Sequence, residues 1–213
     1  MTGKLVLAGT PIGNLGDISE RFARTLAQAD FIAAEDTRVT LRLLNHLGLK
    51  KPLISYFEHN KRDHGETILR RIEAGECCVL VSDAGMPAIS DPGEDLVAQC
   101  AARGIPVSVV PGPCAAICAL SVSGLPSGRF CFEGFLSVNR KSRREHLESL
   151  VDERRTMIFY EAPHKLRATL RDLSVALGDR RVTLVRELTK LHEEVVRTTL
   201  LRAAAYYREN TAR

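Results

Sequence analysis

Residues 77–104 read CCVLVSDAGMPAISDPGEDLVAQCAARG, and this stretch decides the fold class. Its first five residues, Cys77–Val81, are apolar and uncharged, which is typical of a short buried strand. Residues 94–103 then place apolar side chains at helical spacing, and Gly104 follows, a residue favoured just past the end of a helix. The stretch therefore predicts a strand, a loop and a helix in succession.

The same alternation of short apolar strand and helix recurs throughout the first half of the chain. Strands are predicted at residues 4–8, 30–34, 53–57, 77–82 and 107–110, with helices between them. Strands of this kind predict an α/β fold with a mostly parallel, Rossmann-like sheet that is covered on both faces. Ligands bind beyond the carboxyl ends of such strands. Four loops there are ligand-binding candidates: residues 9–16, 35–38, 82–93 and 111–116.

The second half begins after the segment GLPSGR, residues 124–129. We therefore predict an N-terminal α/β domain at residues 1–124 and a C-terminal α/β domain with a mixed sheet at residues 125–213. Strands are predicted there at residues 130–135, 156–162, 181–188 and 193–200.

The composition limits the classes of protein to consider. The chain has no apolar run near the roughly 20 residues that cross a membrane, and its N-terminus lacks a signal-peptide pattern. Its six cysteines form no Cys-x-x-Cys pair, and no histidines stand at zinc-like spacing. We therefore expect a cytoplasmic protein without a membrane partner and without a metal.

Charge is unevenly distributed along the chain. Residues 1–127 hold 12 Lys and Arg against 14 Asp and Glu, whereas residues 128–213 hold 18 against 12. A basic second half indicates a polyanionic partner, although a solvated basic face would give the same count. The densest basic segment is NRKSRR, residues 139–144, at the predicted start of a helix. This segment is either a phosphate-binding site or only a flexible charged loop. The phosphate-binding candidates are Arg140, Lys141, Arg143 and Arg144.

The loop at residues 82–93 contains two aspartates and neither lysine nor arginine. Asp83 and Asp91 would repel a phosphate, so the loop favours a ligand with hydroxyls, an amino group or a cationic centre. Gly85 and Gly93 permit the backbone to approach such a ligand closely. For Asp83 we expect a ligand-binding role, and for Asp91 we expect only capping of the next helix.

Charged and polar side chains also follow other predicted strands. Glu35, Asp36 and Arg38 could position a substrate hydroxyl or remove its proton, but Asp36 could equally cap a helix and Arg38 could bind a phosphate. In the second half, strand ends carry Tyr160, Glu161, Arg186, Glu187 and Lys190.

Several segments together resemble the ribosomal RNA 2′-O-methyltransferases of the tetrapyrrole methylase family. They are TPIGNLGDI, AAEDTR, ISYFEHN, LVSDAGMPAISDPG, PGPCAAICALSVSGLPSGRFCFEGFL, RTMIFYEAPHKL and RELTKLHEEVVR. The resemblance runs from about Leu5 to about Leu200. It implies two α/β domains with S-adenosylmethionine between them, a homodimer, and a cytidine of 16S rRNA in the small ribosomal subunit as substrate. It also implies that the C-terminal domain is truncated in this chain.

The resemblance assigns roles to individual residues. The implied cofactor-binding residues are Pro11, Ser82, Asp83, Ala84, Gly85, Met86, Ile89, Cys114, Ala115, Tyr160, Glu187 and Leu188. Glu35, Asp36 or Glu161 would be the base that activates the 2′-hydroxyl, with the first two ranked ahead of the third. Arg38, Arg186 and Lys190 would hold nearby phosphates or neutralise the charge that develops in the reaction, which makes Arg38 a catalytic candidate, and the basic helix start would dock the RNA. A small-molecule tetrapyrrole methylase and a non-catalytic RNA-binding module remain as alternatives.

Overall fold

The computed structural model describes residues 3–91 and 93–210. The chain divides into two compact units, Met1–Cys114 and Ala115–Arg213. This division lies ten residues before the domain boundary expected after residue 124. The helix at Ala115–Ser123 explains the difference, because it packs against strands of the second unit.

The first unit is a five-stranded sheet with helices between its strands. The strands are β1 (Lys4–Ala8), β2 (Phe31–Ala34), β3 (Leu53–Ser55), β4 (Cys77–Val81) and β5 (Val107–Val110). The helices are α1 (Glu20–Gln28), α2 (Thr37–His46), α3 (Lys61–Glu73) and α4 (Gly93–Ala102). The strand order is β3-β2-β4-β1-β5 and every pairing is parallel. The parallel sheet predicted from the sequence is confirmed.

Apolar side chains pack on both faces of this sheet. One cluster joins the strands to α3 through Ile68, Leu69 and Ile72. The other joins them to α1 through Phe22 and Leu26, which are four residues apart and so lie on one helix face. Burial on two faces is why the strands read as continuous apolar runs rather than as alternating patterns.

The second unit contains four strands and four α-helices among its described residues. In chain order they are α5 (Ala115–Ser123), β6 (Phe130–Phe135), α6 (Arg140–Ser149), β7 (Thr156–Tyr160), α7 (Leu166–Leu177), β8 (Arg181–Arg186), β9 (Glu194–Thr199) and α8 (Leu200–Glu209). Strands β6 and β7 pair in parallel, and β8 and β9 pair antiparallel. The expected mixture of strand directions is present, but in two separate two-stranded sheets instead of one mixed sheet.

Two of the six cysteines serve as apolar core residues. All six are free thiols, and Cys78 and Cys100 are fully buried. Burial raises the pKa of both thiols, that of Cys100 to about 11, so both stay protonated at neutral pH. Within residues 3–91 and 93–210, no group of three or more His, Cys, Asp or Glu side chains could hold a metal ion. No helix in those ranges has the length and apolarity to cross a membrane.

Candidate functional site at the carboxyl edge of the first sheet

Thr10 fastens the loop after β1 to the loop after β4. Its backbone N–H donates to the Gly85 carbonyl at 2.9 Å, and the Gly85 N–H donates to the Thr10 hydroxyl at 3.0 Å. The hydroxyl in turn donates to the Ser82 carbonyl at 3.2 Å. Thr10 is only 3% exposed, so these bonds are shielded from water. Sequence reasoning missed this residue; its signal was a small polar side chain directly after a buried strand.

Two glycines bring the loop after β5 against the loop after β1. A Cβ atom on Gly9 would lie 2.7 Å from the Gly112 Cα, and one on Gly112 would lie 2.5 Å from the Gly9 carbonyl oxygen. Only glycine fits such an approach. Met86 fills the adjacent space, where its sulfur accepts a hydrogen bond from the Gly112 N–H at 3.3 Å. Met86 therefore joins the loops after β4 and β5.

Asp91 shapes the far end of the loop after β4. Its Oδ1 accepts hydrogen bonds from the N–H groups of Ala88 and Gly93, both at 2.8 Å. Gly93 is the first residue of α4, so the capping role predicted for Asp91 is confirmed. Ala88 and Ser90 both have φ of 67°, a backbone conformation that non-glycine residues rarely adopt. Asp91 stabilises this loop in a single unusual conformation.

Three carboxylates gather where β2 and β4 end side by side. Ala34 pairs with Val81, which places Glu35 and Asp36 next to Asp83. The Asp83 Oδ1 accepts a hydrogen bond from the Asp36 N–H at 3.0 Å, and the Glu35 Oε2 accepts one from the Asp83 N–H at 3.4 Å. Burial is the main cause that raises the pKa of Glu35 and of Asp83 above its ordinary value, and neighbouring carboxylates raise both further.

Asp36 differs from its two neighbours because it is paired with Arg38. The two side chains form an ion pair at 2.6 Å, and the Asp36 Oδ1 also accepts the Arg38 N–H at 2.8 Å. These contacts lower the pKa of Asp36 to about 2 and cap the start of α2. Asp36 is thus a permanently ionised cap, whereas Arg38 remains 85% exposed in its side chain.

The other cofactor-binding candidates of the first unit lie on these same loops. Ser82 is buried, Pro11, Met86 and Cys114 are half-buried, and Ala84 and Ile89 are exposed. The fold therefore gathers the candidates of this unit at one edge of its sheet, as the sequence predicted for the ends of parallel strands.

In the second unit, Tyr160 ends β7 beside the start of α5. Its hydroxyl oxygen accepts a hydrogen bond from the Ala116 N–H at 3.1 Å, so Tyr160 lies next to the candidate Ala115. The Tyr160 ring contacts the rings of Phe132 and Phe135, with centroids 5.0 and 5.4 Å away. Aromatic packing thus fixes the side chain in place.

Arg143 has a structural role that the sequence did not predict. Its guanidinium donates to Asp172 at 2.8 Å and to the Thr169 hydroxyl at 2.8 Å, and its side chain is only 16% exposed. Thr169 in turn donates to the carboxylate of Glu161. Arg143 therefore joins α6 to α7, and we remove it from the predicted phosphate-binding set.

Arg140, Lys141 and Arg144 remain as exposed cations around the first turn of α6. Lys141 and Arg144 have only long ion pairs, of 3.8 and 3.5 Å, with glutamates one turn further along the helix. No acidic residue lies in that first turn. Cations at the positive end of a helix dipole are unfavourable in isolation, so this arrangement favours an anionic ligand.

The turn after β8 carries the remaining candidates. Arg186 pairs with Glu194, and Lys190 pairs with Glu187 at 3.1 Å. Glu187 has a φ of 52°, and Leu188 next to it is half-buried. Both cations of this turn already have carboxylate partners, which weakens their predicted role as phosphate ligands.

Comparison with known proteins assigns the family. Residues 4–204 match the family described as Tetrapyrrole (Corrin/Porphyrin) Methylases. The chain belongs to the tetrapyrrole methylase family. It is 52% identical to the ribosomal RNA small subunit methyltransferase I of Synechocystis sp., over 98% of this chain and 75% of the relative. It is 48% identical to the protein of that name from Thermotoga maritima, over 96% of this chain and 92% of the relative.

A solved structure supports the fold assigned to this tetrapyrrole methylase. The uroporphyrin-III C-methyl transferase from Thermus thermophilus, complexed with S-adenyl homocysteine, has a TM-score of 0.64 and 20% sequence identity. The comparison covers 96% of this chain and 91% of that one. Identity at this level establishes the shared fold and no more.

Proposed function

We propose that this chain transfers the methyl group of S-adenosylmethionine to the ribose 2′-oxygen of a cytidine in 16S rRNA of the small ribosomal subunit. The names of relatives about half identical over nearly the whole chain support an rRNA methyltransferase. The structural observation that carries the proposal is the carboxyl edge of the first sheet. There, glycine-lined loops meet half-buried Glu35 beside Asp83.

S-adenosylmethionine fits the chemistry of these loops. It has a cationic sulfonium, an ammonium group and ribose hydroxyls, and it has no phosphate. Asp83 can accept hydrogen bonds from hydroxyl or ammonium groups, and no lysine or arginine in the loop after β4 competes for it. Because Gly9 and Gly112 have no side chains, their two loops can lie in backbone contact beside the site.

We assign the cofactor to the residues implied by the resemblance. They are Pro11, Ser82, Asp83, Ala84, Gly85, Met86, Ile89, Cys114, Ala115, Tyr160, Glu187 and Leu188. When bound, the cofactor supplies an electrophilic methyl group. Thr10 and Asp91 contribute by holding the loop after β4 rigid, so that less motional freedom is lost when the reactants align.

We assign the general base to Glu35. The 2′-hydroxyl is a weak nucleophile, so a base that accepts its proton accelerates the transfer by about 10²–10⁴-fold. Burial raises the pKa of Glu35 towards neutrality, whereas Arg38 lowers the pKa of Asp36 and makes it a weak base. Glu161 is already engaged by the Ala162 N–H and the Thr169 hydroxyl.

We assign RNA docking to Arg140, Lys141 and Arg144 on α6, with Arg38 as a further phosphate ligand beside the base. All four side chains are exposed. Phosphate contacts of this kind position an RNA without reading its sequence. The cytidine must therefore be selected by other contacts or by the shape of the assembled subunit.

A methyl-transfer assay with labelled cofactor tests the proposal. The substrates are 30S subunits and naked 16S rRNA, and the modified nucleotide is then mapped. We expect one 2′-O-methylcytidine. Glu35→Gln should lower kcat by about 10²–10⁴-fold with little change in cofactor affinity. Glu73→Gln, an exposed glutamate at the end of α3, just before β4 begins, is the control. Full activity of Glu35→Gln would contradict the assignment of Glu35 as the base. Absence of label from the RNA would contradict the proposal that 16S rRNA is the substrate.

A tetrapyrrole substrate is the second candidate, because the Thermus structure that shares this fold is a uroporphyrin-III methyl transferase. Uroporphyrinogen III offered with labelled cofactor separates the two candidates. A non-catalytic RNA-binding module would bind RNA but would give no calorimetric heat with S-adenosylmethionine.

The proposal includes a cytoplasmic homodimer, since small ribosomal subunits of bacteria are cytoplasmic and the resemblance implies a dimer. Analytical ultracentrifugation over a range of protein concentrations tests the oligomeric state. A monomer at every concentration would remove the dimer without affecting the assignment of the base or the cofactor.

A further inference from the structure

The loop after β3 lies beside the side chain to which the base is assigned. Strand β3 pairs in parallel with β2, and the Tyr56 N–H extends this pairing by donating to the Ala34 carbonyl at 2.8 Å. Adjacent strands lie about 4.8 Å apart, so Tyr56 and Phe57 lie next to the end of β2, where Glu35 follows. The segment ISYFEHN, residues 54–60, therefore reaches the same edge of the sheet as the loops after β1, β4 and β5. The proposed function uses none of its side chains.

Asn60 holds this loop in a defined turn. Its side-chain oxygen accepts a hydrogen bond from the Phe57 N–H at 2.8 Å, and its amide nitrogen donates to the Ser55 carbonyl at 3.2 Å. The Nδ1 atom of His64 donates to the same carbonyl. Tyr56 is only 1% exposed and anchors the loop in the core, whereas alternation along the chain directs the next side chain outward. The turn therefore presents Phe57 to solvent in a fixed place.

Phe57 is an exposed ring in a unit that buries its other phenylalanine and tyrosine rings. Its exposure is 37%, whereas Phe22, Phe31 and Tyr56 are at most 2% exposed. The exposed His59 ring lies beside it, with the ring centroids 6.1 Å apart and the ring planes at 80°. In such an edge-to-face pair, neither face of the ring that contributes its edge is covered by the other ring. The Phe57–His59 pair can therefore stack one further planar group.

Exposed cations lie at the same edge as the Phe57–His59 pair. Arg38 is in the first turn of α2 and Arg62 is in the first turn of α3, the helices that follow β2 and β3. Arg62 is exposed, and the Arg38 side chain stays 85% exposed despite its ion pair with Asp36. Aromatic rings among cations are typical of sites for single-stranded nucleic acid, where phosphates contact the cations and a base stacks on a ring. A base inside a duplex has no free face for such stacking.

We propose that Phe57 and His59 stack one unpaired base of the substrate RNA, at or next to the nucleotide whose ribose is methylated. This rests on the proposed function, because that function places the reacting ribose at Glu35. A nucleotide loses its own stacking when it leaves a folded RNA to reach an enzyme, and the aromatic pair replaces that stacking. Every base has a face that can stack, so the pair supplies affinity and position without reading the sequence.

Binding of an oligocytidine of about ten nucleotides, compared with an abasic ribose-phosphate chain of equal length, tests the stacking directly. We expect the parent protein to bind oligocytidine about 5–100-fold more tightly than the abasic chain, and Phe57→Ala to bind the two equally. Phe57→Tyr keeps a ring and should keep the preference. Phe57→Leu keeps only an apolar side chain and should lose it. Tyr206→Ala, which removes a 59% exposed ring from α8, is the matched control and should keep the preference.

Two outcomes of this binding experiment would overturn the proposal. One is a parent protein that binds neither chain, or binds both equally. The other is a preference for oligocytidine that survives in Phe57→Leu. Salt dependence adds a further condition, because stacking releases no counterions: Phe57→Ala should leave the slope of log affinity against log salt unchanged, whereas Arg62→Ala should reduce it. A reduced slope in Phe57→Ala would also overturn the proposal.

The methyl-transfer assay distinguishes failure of this proposal from failure of the proposed function. We expect Phe57→Ala to raise KM for the RNA substrate about 5–100-fold and to leave the calorimetric affinity for S-adenosylmethionine unchanged. An unchanged KM in an active Phe57→Ala protein would overturn the stacking proposal alone. A parent protein that methylates no RNA but keeps the Phe57-dependent preference for oligocytidine would contradict the proposed function and support the stacking site.

Discussion

The sheets of the two units differ in how deeply their strands are buried. Every residue of β2 is buried, whereas no residue of β8 is. β2 reads FIAA and lies between two neighbouring strands, whereas β8 reads RVTLVR and, among residues 3–91 and 93–210, pairs with β9 alone. The deeper burial of β2 therefore accompanies both its uninterrupted apolar sequence and its two neighbouring strands.

The two units also differ in charge. The first contributes a carboxylate-rich loop edge without lysine or arginine in the loop after β4, and the second contributes exposed cations on α6. A cationic cofactor and an anionic RNA require opposite surfaces, so the proposed reaction distributes its two ligands between regions of opposite charge.

The largest effect should come from the core of the first unit's sheet. Leu69→Ala removes a side chain with 0% exposure from the first unit, and we expect it to lower the free energy of unfolding by about 2–5 kcal/mol. Leu170→Ala removes one with 1% exposure that borders a cavity of about 160 Å³ in the second unit, where fewer packing contacts are lost, so its cost should be smaller. Urea denaturation measures both, and a larger cost at Leu170 would contradict the comparison.

The next effect concerns the glycine contact at the carboxyl edge. Gly112→Ala forces a Cβ against the Gly9 backbone, so we expect a loss of about 1–3 kcal/mol in stability and loss of S-adenosylmethionine binding. Gly128→Ala has nothing within 4 Å of the added atom and should change neither quantity. Thermal unfolding measures the stability and calorimetry measures the cofactor binding. Normal binding of the cofactor by Gly112→Ala would contradict the proposed site.

A smaller effect separates the structural arginine of α6 from the exposed ones. Arg143→Ala breaks the contacts with Asp172 and Thr169, and we expect it to destabilise the protein by about 1–2 kcal/mol. Arg144→Ala should stay within about 0.5 kcal/mol but should weaken RNA binding and reduce its dependence on salt. If Arg144→Ala left the salt dependence unchanged, RNA docking on this helix would be wrong.

The smallest effect is the pH dependence of Glu35. Its pKa is higher in the folded protein than its ordinary value of 4.5, so ionisation destabilises the folded state. Below pH 4.5 the side chain is protonated in both states and the penalty is absent. As pH rises through the folded pKa the penalty becomes complete, and Glu35→Gln should then be the more stable protein by less than about 1 kcal/mol. If the stability advantage of Glu35→Gln over the parent protein became smaller as pH rose, the raised pKa of Glu35 would be contradicted.

The sequence was sufficient to predict the parallel sheet and the edge at which its ligands bind. Strands such as Phe31–Ala34 are uninterrupted apolar runs, and parallel strands bring their carboxyl ends together wherever they occur. It could also predict the capping role of Asp91, because that depends on neighbours two and three residues away.

Long-range contacts escaped sequence reasoning. Thr10 bonds to residues more than 70 positions away, and Arg143 bonds to Asp172, 29 positions away. Nothing near Arg143 in the sequence distinguishes it from Arg144, and only the packing of α6 on α7 separates the buried arginine from the exposed one.

Hydrogen exchange with and without S-adenosylhomocysteine, followed in both units, tests where the cofactor binds. We expect slower exchange in residues 82–89, 111–116 and at Tyr160, with no change at residues 140–144, where RNA is assigned. Absence of protection in residues 82–89, or protection confined to α6, would contradict the assignment of the cofactor to the carboxyl edge of the first sheet.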